Sequence, residues 1–145
     1  MNYFKSIDKQ KKNNKFLSHG GLRLKKKKFK EPTFSIITVV LNGEKYIENT
    51  IKSVLRQKKS SYEYIIIDGG SSDNTLNIIK KYSQKITYWV SQKDNGIYDA
   101  FNKGMILSQG KYIGIVNSDD VYNKNAFKIM SKYIKKNPNL DFFFG

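Results

Sequence analysis

The run Tyr64-Ile65-Ile66-Ile67 places four apolar residues at consecutive positions. A strand half-exposed to water alternates apolar and polar residues, so an unbroken run belongs to a strand covered on both faces. That requirement favours a parallel sheet with helices on either side, and the rest of the chain follows suit. Phe34 to Leu41 and Tyr62 to Ile67 read as strands, and so do Lys85 to Val90, Lys111 to Val116 and Leu140 to Phe144. Between them lie helical patterns over Glu44 to Gln57, Asp73 to about Tyr82, Ile97 to Leu107 and Asn123 to Lys136. In the first, Ile47, Ile51, Val54 and Leu55 recur at helical spacing. Asn42 suits its N-cap and Asp73 the cap of the next helix. Strand–helix alternation with short connections predicts one α/β domain.

In such sheets ligands bind beyond the carboxyl ends of the strands. Carboxylates fall at three successive strand ends: Asp68, Asp94, and the pair Asp119-Asp120 within Asn117-Ser118-Asp119-Asp120. Two adjacent carboxylates at the end of a buried strand are costly unless a cation or backbone donors compensate them. Structural alternatives exist for each: an Asx-turn at Asp68, turn chemistry at Asp94 before Asn95-Gly96, helix-dipole placement for Asp99. Capping can occupy one member of the Asp119-Asp120 pair but leaves the other unexplained. A carboxylate cluster without histidine or cysteine suits a hard cation, Mg²⁺ or Mn²⁺, with a diphosphate completing the shell. Neither G-x-x-x-x-G-K-[ST] nor G-x-G-x-x-G after the first strand occurs, which argues against a P-loop enzyme and a dinucleotide oxidoreductase.

The net charge is +15, unevenly spread. Residues 1–31 hold eleven Lys and Arg against two acids, and residues 32–145 hold sixteen against ten. Residues 1–31 lack hydrophobic periodicity and read as a solvated, disordered basic tail, with no role assigned to His19. Their charge also suits an anionic membrane surface; nucleic acid is the less favoured partner. There is no cysteine, hence no disulfide framework or thiolate zinc site. The longest apolar run, near Ile36 to Leu41, is too short to span a bilayer, and no secretory signal is expected.

Five segments, in order and at matching spacing, resemble family 2 glycosyltransferases of the GT-A fold. They are residues 34–42 (FSIITVVLN), 51–57 (IKSVLRQ), 67–75 (IDGGSSDNT), 94–104 (DNGIYDAFNKG) and 117–120 (NSDD). The resemblance implies a GT-A, Rossmann-like, mainly parallel sheet flanked by helices and truncated after the fifth strand. It implies a nucleotide-diphospho-sugar donor, by expectation a UDP-sugar, and a divalent metal, Mg²⁺ or Mn²⁺. Val39, Leu41, Asp68, Asp94 and Asp119 would bind the nucleotide sugar. Asp68 would meet the base or ribose, Asp94 the uracil or sugar side, and Asp120 the metal. Leu41 departs from the family, which often has an aromatic residue there, and Asn117 stands where many members have an acid. The family's general base lies well downstream of the acidic motif, so it is expected beyond Gly145. Residues 32–145 are then the nucleotide-sugar-binding half, with a saccharide or lipid-linked acceptor bound elsewhere. The expected setting is cell-envelope polysaccharide synthesis in the cytoplasm, at the inner face of the plasma membrane. The alternatives are a catalytically inactive nucleotide-sugar or polyanion-binding module and a nucleotidyltransferase.

Overall fold

The structure is a computed structural model and describes residues 18–25, 31–58 and 61–139. Its strands are β1 (Ser18–Gly20), β2 (Phe34–Val40), β3 (Tyr62–Asp68), β4 (Tyr88–Ser91) and β5 (Tyr112–Ile115). Its helices are α1 (Ile47–Leu55), α2 (Thr75–Lys81), α3 (Ile97–Leu107) and α4 (Ala126–Lys136). The sheet order is β1-β4-β3-β2-β5, parallel throughout except for β1. The expected strand at Leu140 to Phe144 lies outside the described residues.

In β2 and β3 the unbroken apolar runs are explained by cover on both faces, whereas β5, expected to be a buried strand, lies at the sheet edge and leaves Ile113 and Ile115 about half exposed. On one side, α1, α2 and α4 contribute Ile47, Ile51, Val54, Ile79 and Phe127 against Phe34, Ile36, Tyr64 and Ile66. On the other, Ala100 and Leu107 of α3 meet Ile37, Val39, Ile65 and Ile67. Every residue of β2 is buried as a result. Phe127 anchors the first layer, with ring centroids 5.0 Å from Tyr62, 5.3 Å from Tyr122 and 5.7 Å from Phe34. On the second, Gly104 lets α3 lie directly on β2: a Cβ there would sit 2.6 Å from Ile37 Cγ2.

Several element ends fall one to three residues inside the expected ranges, and two departures have a clear local reason. The third expected strand starts at Tyr88 rather than Lys85, because the amides of Lys85 and Ile86 still turn back to Tyr82 O (2.8 and 3.1 Å). Asn42 does not cap α1. The helix starts after Tyr46, and Asn42 instead adopts φ 51° and serves a loop described below.

The larger correction concerns the basic tail. Within it, residues 18–25 are part of the fold. Ser18–Gly20 pairs with β4, and Leu22 N and Arg23 N donate to Ile86 O (3.0 Å) and Thr87 O (2.9 Å). Gly20 is required because a Cβ would lie 2.6 Å from the Trp89 ring. His19 Nδ1 meets Tyr88 Oη at 3.1 Å. The Arg23 guanidinium is buried, ion-paired with Glu63, and donates to Leu107 O (2.9 Å). Glu63 also accepts from Ser35 Oγ and Gln109 N, both at 2.5 Å. Glu63 is thus a buried charge with a cation and two further donors, the condition under which such a charge is tolerated.

The topology locates a crevice. The chain steps outward from β2 to β3 to β4, then returns through α3 to lay β5 on the other side of β2. The carboxyl ends of β2 and β5 flank that switch point, where ligands bind in open α/β sheets. Among the described residues, no helix is long and apolar enough to cross a membrane.

Candidate functional site

The loop after β5 carries the acidic pair, and α1 holds it in place. The buried face of α1 is not wholly apolar: Thr50, Ser53 and Gln57 interrupt the aliphatic stripe and are all buried. Each reaches across to the backbone of the 118–127 segment. Thr50 Oγ1 lies 2.8 Å from both Ser118 O and Asp120 O. Ser53 Oγ accepts from Tyr122 N at 3.0 Å, and Gln57 Nε2 donates to Asn123 O at 2.7 Å. Arg56 adds a bond to Tyr122 O (2.6 Å). The loop backbone is therefore pinned by side chains, while the carboxylates of Asp119 and Asp120 stay exposed. Asn117 Nδ2 donates to Asp120 Oδ2 at 3.1 Å. The sequence signal was present but unread: polar residues at i, i+3 and i+7 in the buried phase of a helix.

Asp68 and Asp94 form a second group. Asp68 ends β3 and is fully buried. Its Oδ1 accepts from Ser71 Oγ (2.5 Å) and its Oδ2 from Ser91 Oγ (2.5 Å), with Ser71 N at 3.2–3.3 Å from both oxygens. A carboxylate accepts about four hydrogen bonds, so these three donors leave room for one more. Asp94 lies beside it: Asp94 Oδ1 accepts from Gly96 N at 3.0 Å, and Oδ2 rests against Gly69. Both turn interactions foreseen for these residues are present.

The loops after β2 and β3 clasp each other. Asn42 N donates to Ser71 Oγ (2.8 Å), Gly43 N to Thr75 Oγ1 (2.8 Å) and Glu44 N to Asp73 Oδ2 (3.0 Å). In return, Ser72 N donates to Asn42 Oδ1 (2.9 Å) and Asn74 N to Glu44 Oε2 (2.8 Å). Asp73 also accepts from Thr75 N at 2.9 Å, but the N-cap of α2 is Asn74, so Asp73 stands one residue ahead of the cap position expected of it. Against a desolvation that pushes it up, these bonds hold the Asp73 carboxyl below the usual range. Asp99 is likewise held low, first by Lys103 and then by Asn95 N, a local ion pair at the start of α3.

The candidate residues therefore occupy two patches along one sheet edge. Asp68 and Asp94 sit on the β3–β4 side, and Asp119 and Asp120 on the β5 side. One strand, β2, separates them, a span of roughly 10 Å at normal strand spacing. Leu41, 60% exposed, stands on the rim between the two patches, whereas Val39 is buried in the core with its side chain among Ile37, Ile65 and Ile67. Among the described residues, no three His, Cys, Asp or Glu side chains gather to hold a metal. A site of one or two exposed carboxylates at Asp119-Asp120 still fits Mg²⁺ or Mn²⁺, which complete their shells with waters and ligand phosphates.

The model of glycosyl transferase family 2 matches residues 35–144. The chain is 39% identical over 119 residues to the poly(ribitol-phosphate) β-N-acetylglucosaminyltransferase TarP of Staphylococcus aureus, covering 79% of this chain and 34% of that one. Among solved structures, S. aureus TarS 1–349 in complex with UDP-GlcNAc superposes with TM-score 0.65 at 28% identity, over 72% of this chain and 31% of that one. The mannosyltransferase PcManGT of Pyrobaculum calidifontis, in complex with GDP-Man and Mn²⁺, gives TM-score 0.65 at 15% identity over 91% of this chain and 39% of that one; it attests the fold alone. The chain spans about a third of the length of these relatives. The fold is the GT-A arrangement, a five-stranded sheet flanked by helices, and the chain belongs to glycosyl transferase family 2.

Proposed function

We propose that residues 32–145 form the donor site of a glycosyltransferase that uses a UDP-sugar with a divalent cation. The observation that carries this reading is the pinned acidic loop at the switch point. Its backbone is fixed by Thr50, Ser53 and Gln57, yet both acidic residues are exposed, and no basic partner for them occurs among the described residues. A structural role would bury or pair them.

In this reading the nucleoside end lies over Gly69 and Asp94, where a turn free of side chains gives the base a flat approach. Asp68 stiffens that floor from below through Ser71 and Ser91. The diphosphate lies toward β5, with Asp120 the metal ligand and Asp119 nearer the ribose and sugar. A bound Mg²⁺ or Mn²⁺ would neutralise charge developing on the departing nucleoside diphosphate. The chain's own residues hold and orient the donor: the clasp between residues 42–44 and 71–75 fixes the rim, and α1 fixes the acidic loop. TarP and TarS are named for transfer onto poly(ribitol phosphate), and the TarS structure holds UDP-GlcNAc. The reading therefore carries a saccharide acceptor of the cell envelope, met at the cytoplasmic face of the membrane.

Competition binding tests the nucleotide. With Mn²⁺ present, UDP should displace a labelled UDP-sugar from the chain at least about tenfold better than GDP does. Equal displacement by the two would remove uridine from the account.

A further inference from the structure

The four helices differ in how their lysines are partnered. Glu48 on α1 pairs with Lys52 of the same helix and with Lys81 of α2, and Asp99 pairs with Lys103 on α3. On α4, Lys128, Lys132, Lys135 and Lys136 are all exposed, Lys124 stands in the turn before them, and residues 121–139 contain no acid. Among the described residues, none of these lysines is ion-paired. Lys128, Lys132 and Lys136 recur every four residues and so form one stripe about 12 Å long. Like charges at that spacing repel and weaken a helix. Ile129 and Tyr133 form a second exposed stripe beside the first. The packing of α4 on the core runs instead through Phe127, Met130 and Ile134. A layer of negative charge with an apolar layer beneath it would satisfy both stripes.

We propose that the outer face of α4 docks on an anionic lipid surface. Lysines held near such a surface are drawn to its headgroups. Ile129 then reaches the boundary of the acyl chains, and the Tyr133 ring suits the headgroup level. A soluble polyanion meets the lysines but has no apolar layer for Ile129. The orientation keeps the crevice usable. Helix α4 covers one face of the sheet, whereas the acidic loop lies at the carboxyl edge, so a surface against α4 leaves that edge open.

Vesicle co-sedimentation tests this with three variants of the full chain. The first carries Lys128→Gln, Lys132→Gln and Lys136→Gln. The second carries Lys80→Gln, Lys85→Gln and Lys93→Gln. Its lysines are exposed and come from α2 and the turns flanking β4, on the far side of the sheet from β5. The third carries Ile129→Gln. All three keep residues 1–31 unchanged, so differences among them report on the folded surface. The parent should bind vesicles with about one-third phosphatidylglycerol at least about tenfold better than vesicles of phosphatidylcholine alone. The first variant should lose about tenfold or more of that affinity, and the second no more than about threefold. Ile129→Gln should weaken vesicle binding about threefold and leave binding to heparin unchanged. Equal losses in the two lysine variants, no loss in the first, or a parent that does not distinguish the two lipids overturn the proposal. So does a vesicle affinity that Ile129→Gln leaves unchanged, because the α4 lysines then serve a soluble polyanion. No nucleotide enters the assay, so its outcome is separate from that of the donor-site reading.

Discussion

The carboxylate of Asp94 occupies the space that a side chain on residue 69 would need: its Oδ2 lies 2.7 Å from the position of a Cβ on Gly69. The two residues come from neighbouring strand ends and define the floor of the β3–β4 patch. Gly69→Ala should drive the Asp94 carboxylate off that floor and weaken UDP-sugar binding by about tenfold. The thermal midpoint should move little, because the displaced group is the end of a side chain. Titration of the variant beside Asp94→Asn checks this, and the two should be non-additive when combined. Additive effects would mean that Gly69 and Asp94 act separately.

Thr50 joins α1 to the acidic loop through Ser118 O and Asp120 O. Thr50→Val keeps the shape and removes the hydroxyl. Its cost in stability should be about 1 kcal/mol, the worth of one hydrogen bond. Its effect on Mn²⁺ affinity in the presence of nucleotide should be larger, about tenfold or more, as for residues that orient a metal's ligands. Metal titrations at saturating nucleotide separate the two quantities.

Arg23 ties the N-terminal segment to Glu63 and to the end of α3. Arg23→Met should destabilise the chain by about 3–5 kcal/mol, because Glu63 is left charged and buried. Urea unfolding measures it. Deleting residues 1–31 should lower the midpoint at least as much as Arg23→Met does.

Glu48 on α1 accepts from Tyr82 Oη (2.6 Å) and Lys81 Nζ (2.9 Å) at the end of α2. The Tyr82 hydroxyl first, and Lys81 next, lower its carboxyl from 4.5 to about 2. A carboxyl lowered in the folded state stabilises the fold above its unfolded value, and that contribution fades as pH falls toward the folded one. Glu48→Gln should therefore be less stable than the parent at pH 6, with the gap closing between pH 4.5 and about 2. Tyr82→Phe should raise the Glu48 titration midpoint in carbon-detected NMR.

What was legible in the sequence follows the strength of the local signal. β2 and β3 are continuous apolar runs, and α3 matches its expected ends because Gly96 and Ser108 bound a clear amphipathic stretch. The placement of Asp68, Asp94 and Asp119-Asp120 at strand ends followed from the strands alone. β1 could not be read: Ser18-His19-Gly20 has no alternation, and only the edge of β4 and the Trp89 ring make it a strand. Asn42 reads as a helix cap locally, but the Ser72 amide, 30 residues away in sequence, takes its side chain. Ser91 was missed for the same reason, since its partner Asp68 is 23 residues away in sequence, whereas Thr50 and Ser53 carried the buried-phase signal described above.

Asp120 in the pinned loop is the proposed ligand of the donor's divalent metal. Calorimetric titration of the chain with a UDP-sugar, with Mn²⁺ and with chelator, tests it directly. The account predicts binding at least about tenfold tighter with Mn²⁺, and Asp120→Ala should abolish that difference with an unchanged melting temperature. Equal affinity with and without the metal in the parent chain, or a metal effect that survives Asp120→Ala, would contradict it.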